Sequence, residues 1–265
     1  MPTVPSTGWG VLHLFFHFRR AALSDPVHAA GEFIRRVSDL DGREDYQVLT
    51  FSVLGQKADL GLMVLGPDLD VLDSFAVELV NGGLGEGLVP AASYLSLTET
   101  SEYTTTPEQE RERLVAEEDL APDSEELEEQ VRAFEQRMAA YAEHRLHPNL
   151  PRTKVIGFYP MSKRREVGAN WYALDFAERK RIMAGHAAVG RTYRGRVTQL
   201  ITGSTGLDDW EWGVTLLTDD PATLKEIVHE MRFDEASAAY ADFGPFVTGL
   251  AMEPAALMRR LGLQA

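Results

Sequence analysis

No cysteine occurs among the 265 residues. Disulfides, thiolate-bound metals and a cysteine nucleophile are therefore excluded. Any metal must be held by His, carboxylate, Tyr or Met. No apolar run approaches the roughly 20 residues that cross a bilayer as a helix. Met1 to Gly10 lacks the basic-then-apolar pattern of a secretory leader. From these absences we expect a soluble cytoplasmic protein without a membrane partner. Positive charge is scarce as well. The 26 Lys and Arg stand against 41 Asp and Glu, a net charge of −15, which speaks against nucleic acid as a partner. Missing too are G-x-S-x-G, H-E-x-x-H and a G-x-G-x-x-G after a strand. Hydrolase, zinc-protease and dinucleotide readings have no support.

What is present is unevenly spread. Residues 99–143 carry fifteen acids and four bases, whereas residues 144–196 carry twelve bases and three acids. An acidic chain that gathers cations in one stretch is either building an anion site there or exposing solvated helix faces.

Apolar periodicity gives the same element order twice. A strand at 10–18 is followed by a helix from Asp25-Pro26 to about Leu40, strands at 46–53 and 60–65, a helix started by Pro67 and a strand at 91–98. The second round has a strand at 154–159 and a helix capped by Asp175, with Glu178 three residues on, running to about Val189. Strands at 193–202 and 210–217, a helix from Pro221 through Met231 and a strand at 243–252 complete it. The order βαββαβ is the ferredoxin-like pattern. We therefore expect an α+β protein of two ferredoxin-like halves, 1–103 and 151–265. Their sheets either pack face to face or close into a barrel with external helices. The acidic segment 104–150 connects them. It opens on a loop, Thr104-Thr-Thr-Pro107, and contains a helix over 123–145 with Leu127, Val131, Phe134, Met138 and Tyr141 as its apolar stripe.

Two stretches could carry chemistry. His186 shares a helix face with Ile182 and Val189, amid Ala184, Gly185, Ala187 and Ala188. It reads either as a hydrogen-bonded structural histidine or as a metal ligand, with small neighbours that would let a flat macrocycle approach. The run Tyr159-Pro-Met-Ser-Lys163-Arg-Arg165 reads either as an ordinary strand-to-loop exit or as a phenol set beside cations. Arg145, fourteen residues before Tyr159, adds a guanidinium able to grip a carboxylate bidentately. Gly203-Ser-Thr-Gly206 reads as a hairpin turn, and Asp208, Asp209 and Glu211 as a solvated strand edge or metal carboxylates.

Taken together, several runs resemble the coproheme decarboxylases of the chlorite dismutase superfamily. They are Tyr-Pro-Met-Ser-Lys at 159–163, Asn170-Trp-Tyr172, His186 with Gly190-Arg191, Gly203-Ser-Thr-Gly-Leu-Asp-Asp209, Glu211-Trp-Gly213 and Glu230-Met-Arg-Phe-Asp-Glu-Ala-Ser237. They lie in the family's order within the C-terminal half. Tyr94-Leu-Ser-Leu and Ser101-Glu-Tyr103 are weaker echoes in the N-terminal half. The resemblance implies a dimeric α+β barrel within each subunit and a homopentamer. It implies iron coproporphyrin III (coproheme) as both substrate and redox cofactor, hydrogen peroxide as oxidant and haem b as product. It also implies passing contact with a ferrochelatase-type enzyme. His186 would ligate iron, and Tyr159 would be oxidised to a radical with Lys163 close by. Arg145 and Ser237 would hold propionates, Gln199 would stand at the distal position, and Met161 and Tyr103 would line the pocket. Chlorite dismutases carry a distal arginine where Gln199 stands, so Gln199 tells against chlorite chemistry. The competing readings are a chlorite dismutase or haem peroxidase on the same fold, and a haem carrier or sensor without turnover.

Overall fold

The computed structural model describes residues 2–264. The strongest helix-start signals in the sequence are the Asx-Pro and Asp-x-x-Glu caps, and the chain turns helical where they fall. Asp25 caps α1 (Pro26–Asp41), Asp175 caps α5 (Phe176–Thr192) and Asp220 caps α6 (Pro221–Met231), while Asp68, which carries neither signal, caps α2 (Leu69–Asn81). Each accepts a backbone N–H of the first turn, satisfying one of the helix's orphan donors. Between these helices run β1 (Gly10–Phe18), β2 (Gln47–Val53), β3 (Leu60–Gly66) and β4 (Leu88–Thr98) in the first half. The second half carries β5 (Val155–Lys163), β8 (Thr198–Gly203), β9 (Trp212–Thr218) and β11 (Val247–Ala251).

Each set of four strands is antiparallel, ordered β4-β1-β3-β2 and β11-β5-β9-β8. Two narrow seams close the ring. Gly249–Ala251 of β11 pairs with β2, and Leu97 and Thr98 of β4 pair with Gly203 and Thr202 of β8. The result is an eight-stranded closed barrel with helices outside, an α+β architecture made of two ferredoxin-like halves. The sequence left face-to-face packing open; closure settles it, because a ring leaves no long unpaired edge.

Alternation along the strands sorts the side chains into an inner and an outer core. Phe15, Phe51, Met63, Ile156, Phe158 and Leu217 fill the barrel. On the outer face of the first half, Leu60, Leu62 and Val64 meet Phe33, Leu72 and Leu79 of α1 and α2. That face is packed solid. The outer face of the second half is covered more sparsely by α6 through Ile227 and Met231, and α5 buries only Ile182. The asymmetry leaves room for a cleft between the second half's strands and α5.

Four local expectations are corrected. Tyr159–Lys163 is not a loop exit: β5 continues through Lys163. Pro160 is tolerated because it faces β9 on one side and, on the other, the gap between β11 and the short β10 (Ala241–Phe243), where no ladder donor is needed. Residues 193–197 are a helix exit and turn, so β8 begins only at Thr198. The final strand begins at Val247 rather than 243, with Phe243 assigned to β10. The segment after Thr104 is not only loop. Thr106 and Gln109 form a capping box that opens α3 (Pro107–Glu117), which packs on α4 (Glu125–Leu146) through Leu114, Leu127 and Val131. Short additions are β6 (Arg165–Glu166), β7 (Ala169–Asn170), α7 (Glu235–Ala238) and α8 (Pro254–Arg260).

Candidate functional site

Tyr159, Met161 and Lys163 sit two residues apart on β5, so all three face outward from the barrel. Gln199 and Ile201 on β8 and Val214 on β9 share that outer face. Across from them stands α5 with Met183 and His186, and at one end lie α7 and the tail of α6. The space between is a cleft of about 1210 Å³, counting its open mouth. All eight residues singled out from the sequence line it: Tyr103, Arg145, Tyr159, Met161, Lys163, His186, Gln199 and Ser237. A second compartment of about 1740 Å³ adjoins it toward α4 and shares His186, Gln199, Arg145 and Tyr103 as walls.

His186 points one ring nitrogen at a carboxylate: Nδ1 lies 3.0 Å from Asp234 Oδ2. Asp234 is the N-cap of α7 and also accepts from the backbone N–H and the hydroxyl of Ser237, at 3.1 and 3.2 Å. Burial works against its charge, but the hydrogen bond from His186 and those from Ser237 outweigh that, and the carboxyl titrates below its ordinary value. An imidazole whose Nδ1–H is held by a carboxylate presents Nε2 as a fixed, basic lone pair, which is how proteins orient a histidine for a metal. Small residues make the approach open, and Gly190, one turn beyond His186, is where the Gln199 amide packs against the helix.

Tyr159 is 7% exposed, stacked on Phe246 at 4.4 Å and tilted against Phe243. Its hydroxyl has no hydrogen-bond partner among the described residues. Burial, reinforced by Asp234 and opposed by Arg232, pushes its pKa up to about 12, so at neutral pH it stays a phenol, able to donate. Lys163 is 8% exposed; its Nζ donates to the Ala236 carbonyl at 3.1 Å and lies 4.1 Å from the Trp171 ring centre. Burial lowers its pKa to about 8, against the pull of Asp234 and Glu211. Tyr103 stacks on Phe176 at 5.8 Å, and burial together with Glu102 raises its pKa to about 12. Arg145 is anchored by the carbonyls of Glu99 and Ile201 at 3.3 and 3.1 Å.

Sequence reasoning missed three lining or supporting groups. Asp234 carried a usable signal, the cap spacing Asp234-x-x-Ser237, but nothing tied it to a histidine 48 residues earlier. Arg232, whose guanidinium lies 3.7 Å from the Phe243 ring centre, stood within the run 230–237 quoted for the resemblance but was given no role, and Glu99, which accepts from the Trp212 indole at 3.0 Å, carried no signal at all. The carboxylates Asp208, Asp209 and Glu211 build no metal site; no cluster of three potential ligands occurs among the described residues. Asp208 instead accepts the Leu95 N–H, and Glu211 accepts the Lys163 N–H.

The basic stretch 144–196 divides in two. Arg152, Arg164, Arg165, Arg181 and Arg196 pair with carboxylates supplied from other elements. Seven bases form no such ion pair among the described residues. Five of them, Arg145, Lys163, Lys180, Arg191 and Arg194, line the two compartments.

The family model described as chlorite dismutase matches residues 26–252. The chain belongs to the chlorite dismutase family. A heme-binding protein from Thermus thermophilus has 34% identity, a TM-score of 0.78 and 99% coverage of both chains. A chlorite dismutase variant from Candidatus Nitrospira defluvii, at 16% identity and TM-score 0.71 over 97% of this chain and 96% of that one, shares the fold. Among curated proteins, candidate heme-binding proteins of Natronomonas pharaonis and Haloquadratum walsbyi are 36% and 38% identical over 97% of this chain. The chain spans only 41% and 47% of those two relatives. No helix among the described residues is long and apolar enough to cross a membrane.

Proposed function

We propose that this protein binds iron coproporphyrin III and converts two of its propionates to vinyl groups at the expense of hydrogen peroxide, yielding haem b. The observation that carries this reading is the convergence of His186, backed by Asp234, with Tyr159 and Lys163 in one cleft rich in unpaired cations. The named relatives from Thermus thermophilus, Natronomonas pharaonis and Haloquadratum walsbyi bear on the haem half of the proposal. The substrate and the reaction rest on the sequence resemblance and the chemistry of the cleft.

The residues fit the group. His186 Nε2 is the metal donor, with Asp234 fixing the tautomer. Tyr159, Lys163, Arg145, Arg232 and Ser237 offer hydrogen bonds and charge to carboxylates, and Met161, Gln199 and Tyr103 complete the walls. Bound iron porphyrin supplies the redox chemistry, drawing two oxidising equivalents from peroxide. The chain contributes position and a hydrogen-atom acceptor. No acid or base of ordinary pKa can take hydrogen from the β-carbon of a propionate. Tyr159, having lost its phenolic hydrogen, can take it as an atom and become a phenol again. Departure of a second electron and of carbon dioxide leaves the vinyl group. Each round consumes one propionate, one peroxide and one proton, and gives one vinyl group, one carbon dioxide and two waters. A cleft serving only as a carrier would need no buried, unpartnered phenol, and Gln199 stands where chlorite chemistry would need an arginine.

The test is direct. The protein is loaded with ferric coproporphyrin III, hydrogen peroxide is added in steps and the porphyrin mass is followed. Successive loss of two carboxyl units supports the proposal. Bleaching without decarboxylation points to a carrier, and oxygen release from chlorite points to a dismutase.

A further inference from the structure

Glu99 has no evident place in a cleft meant for an anion. It stands just past the end of β4, on the cleft wall beside Arg145. One oxygen accepts the Trp212 indole N–H at 3.0 Å, and the other lies where a side chain on residue 203 would begin. Gly203 provides that room: a Cβ there would sit 2.2 Å from Glu99 Oε2. The carboxyl is thus seated in a fitted notch rather than trailing in solvent. Two charged groups face it, Arg145 from α4 and Glu102 from the adjoining loop. Arg145 does not close on it as an ion pair, because its hydrogen bonds go to the carbonyls of Glu99 and Ile201. Burial, opposed by the Trp212 hydrogen bond and by Arg145 and reinforced by Glu102, holds the Glu99 carboxyl above its ordinary value. A second carboxylate brought to the free edge of Arg145 would raise it further, since two like charges sharing one cation cannot both be kept at low cost.

We propose that Glu99 takes up a proton when a carboxylated porphyrin binds, so that the Arg145 end of the cleft holds one carboxylate charge at a time. Glu99 is then a specificity-determining residue that couples porphyrin affinity to pH. The inference rests on the reading that a ligand carboxylate approaches Arg145. The sign follows from linkage: the bound state holds more protons, so affinity falls as pH rises. Between the titration of Glu99 in the free protein and its raised titration in the complex, the fall approaches about tenfold per pH unit, and above both it levels off.

The experiment uses metal-free coproporphyrin III, which removes iron ligation from the proton count. Binding heats are measured by calorimetry at each pH in two buffers of different protonation enthalpy, for the unaltered protein, Glu99→Gln and Glu99→Asp. The unaltered protein and Glu99→Asp are expected to take up a proton, approaching one per porphyrin. Glu99→Gln, which keeps an acceptor for Trp212, is expected to lose that uptake and to bind more tightly at high pH with a flatter profile. Equal proton uptake by Glu99→Gln and the unaltered protein overturns the inference while leaving porphyrin binding intact. Failure of the unaltered protein to bind either coproporphyrin III or its ferric form overturns the functional reading and this inference with it.

Discussion

Lys163 is a buried cation whose ammonium has one carbonyl as its polar partner among the described residues, so the ligand-free protein should be strained by it. Its pKa falls from the ordinary 10.5 to about 8, with burial the main cause. Between those values the unfolded chain holds the proton more tightly than the folded one. Each pKa unit corresponds to about 1.4 kcal/mol, so the charged ammonium costs the fold about 3 kcal/mol at pH 7. That cost is present in full below about pH 8 and relieved as pH rises toward 10.5. Lys163→Met keeps the length of the side chain and removes the charge. It also leaves the Ala236 carbonyl unpaired, which costs about 1 kcal/mol, so the quantity to read is the pH dependence rather than the absolute stability. In urea titrations at pH 7 and pH 10, the stability of the unaltered protein relative to Lys163→Met should rise by about 2.5 kcal/mol. Using the variant as reference cancels other groups that titrate in that range. On the proposed function, the same variant should bind coproheme more weakly, because it lacks the cation proposed to meet a carboxylate. A relative stability unchanged between the two pH values would refute the account of Lys163 as an unrelieved buried charge.

Three further outcomes are expected. Tyr159→Phe should fold, bind ferric coproporphyrin and react with peroxide yet yield no mono- or di-decarboxylated porphyrin by mass spectrometry; normal haem b would move the radical role elsewhere. Asp234→Asn should weaken ferric porphyrin binding about 10–100-fold and lower the iron–histidine stretching frequency of the ferrous complex, whereas an unchanged band would detach Asp234 from His186. His13, wholly buried in the barrel with Nδ1 unpartnered and Nε2 2.9 Å from Thr215, has its pKa lowered by burial to about 3. Below about pH 6.5 the unfolded state gains that proton first, so between pH 7 and pH 4 the protein should lose about 3 kcal/mol relative to a His13→Leu, Thr215→Val double variant; parallel pH profiles would count against it.

Much of the fold was legible because its signals are local. Asp25-Pro26, Asp175 with Glu178, and Asp220-Pro221 mark helix starts through cap hydrogen bonds that reach only two or three residues along the chain. Barrel closure was implied by the family resemblance but not legible from periodicity, because its seams rest on two and three residue pairs with no compositional mark. α3 hid behind its charge: with Leu114 as its one buried residue, it shows almost no apolar face, and only Thr106-Pro-x-Gln109 announces it. In the site, the period of two along β5 was obscured by Pro160, which suggested an exit where the strand continues. The eight residues singled out meet in one cleft, but their supports do not follow from spacing. The contact between His186 and Asp234 depends on a four-residue helix that propensity would not place.

The charge pattern gains its meaning only in three dimensions. A net charge of −15 would repel a tetra-anionic ligand at long range, but at physiological salt that field is screened beyond about 8 Å. What a ligand meets at the cleft is local. Within the basic stretch 144–196, acids from elsewhere in the chain take most of the arginines that lie away from the cleft: Asp41 takes Arg152, Asp242 takes Arg164, and Glu178 with Glu235 takes Arg181. Exposed pairs of this kind add little to stability. Their consequence is to silence cations elsewhere in that stretch, leaving Arg145, Lys163, Lys180, Arg191 and Arg194, with Arg232 from outside it, as bases around the two compartments that form no ion pair with another element among the described residues. Within residues 144–196 acidity and basicity are therefore one arrangement: of the seven bases there that lie away from the two compartments, five are taken by the chain's own carboxylates.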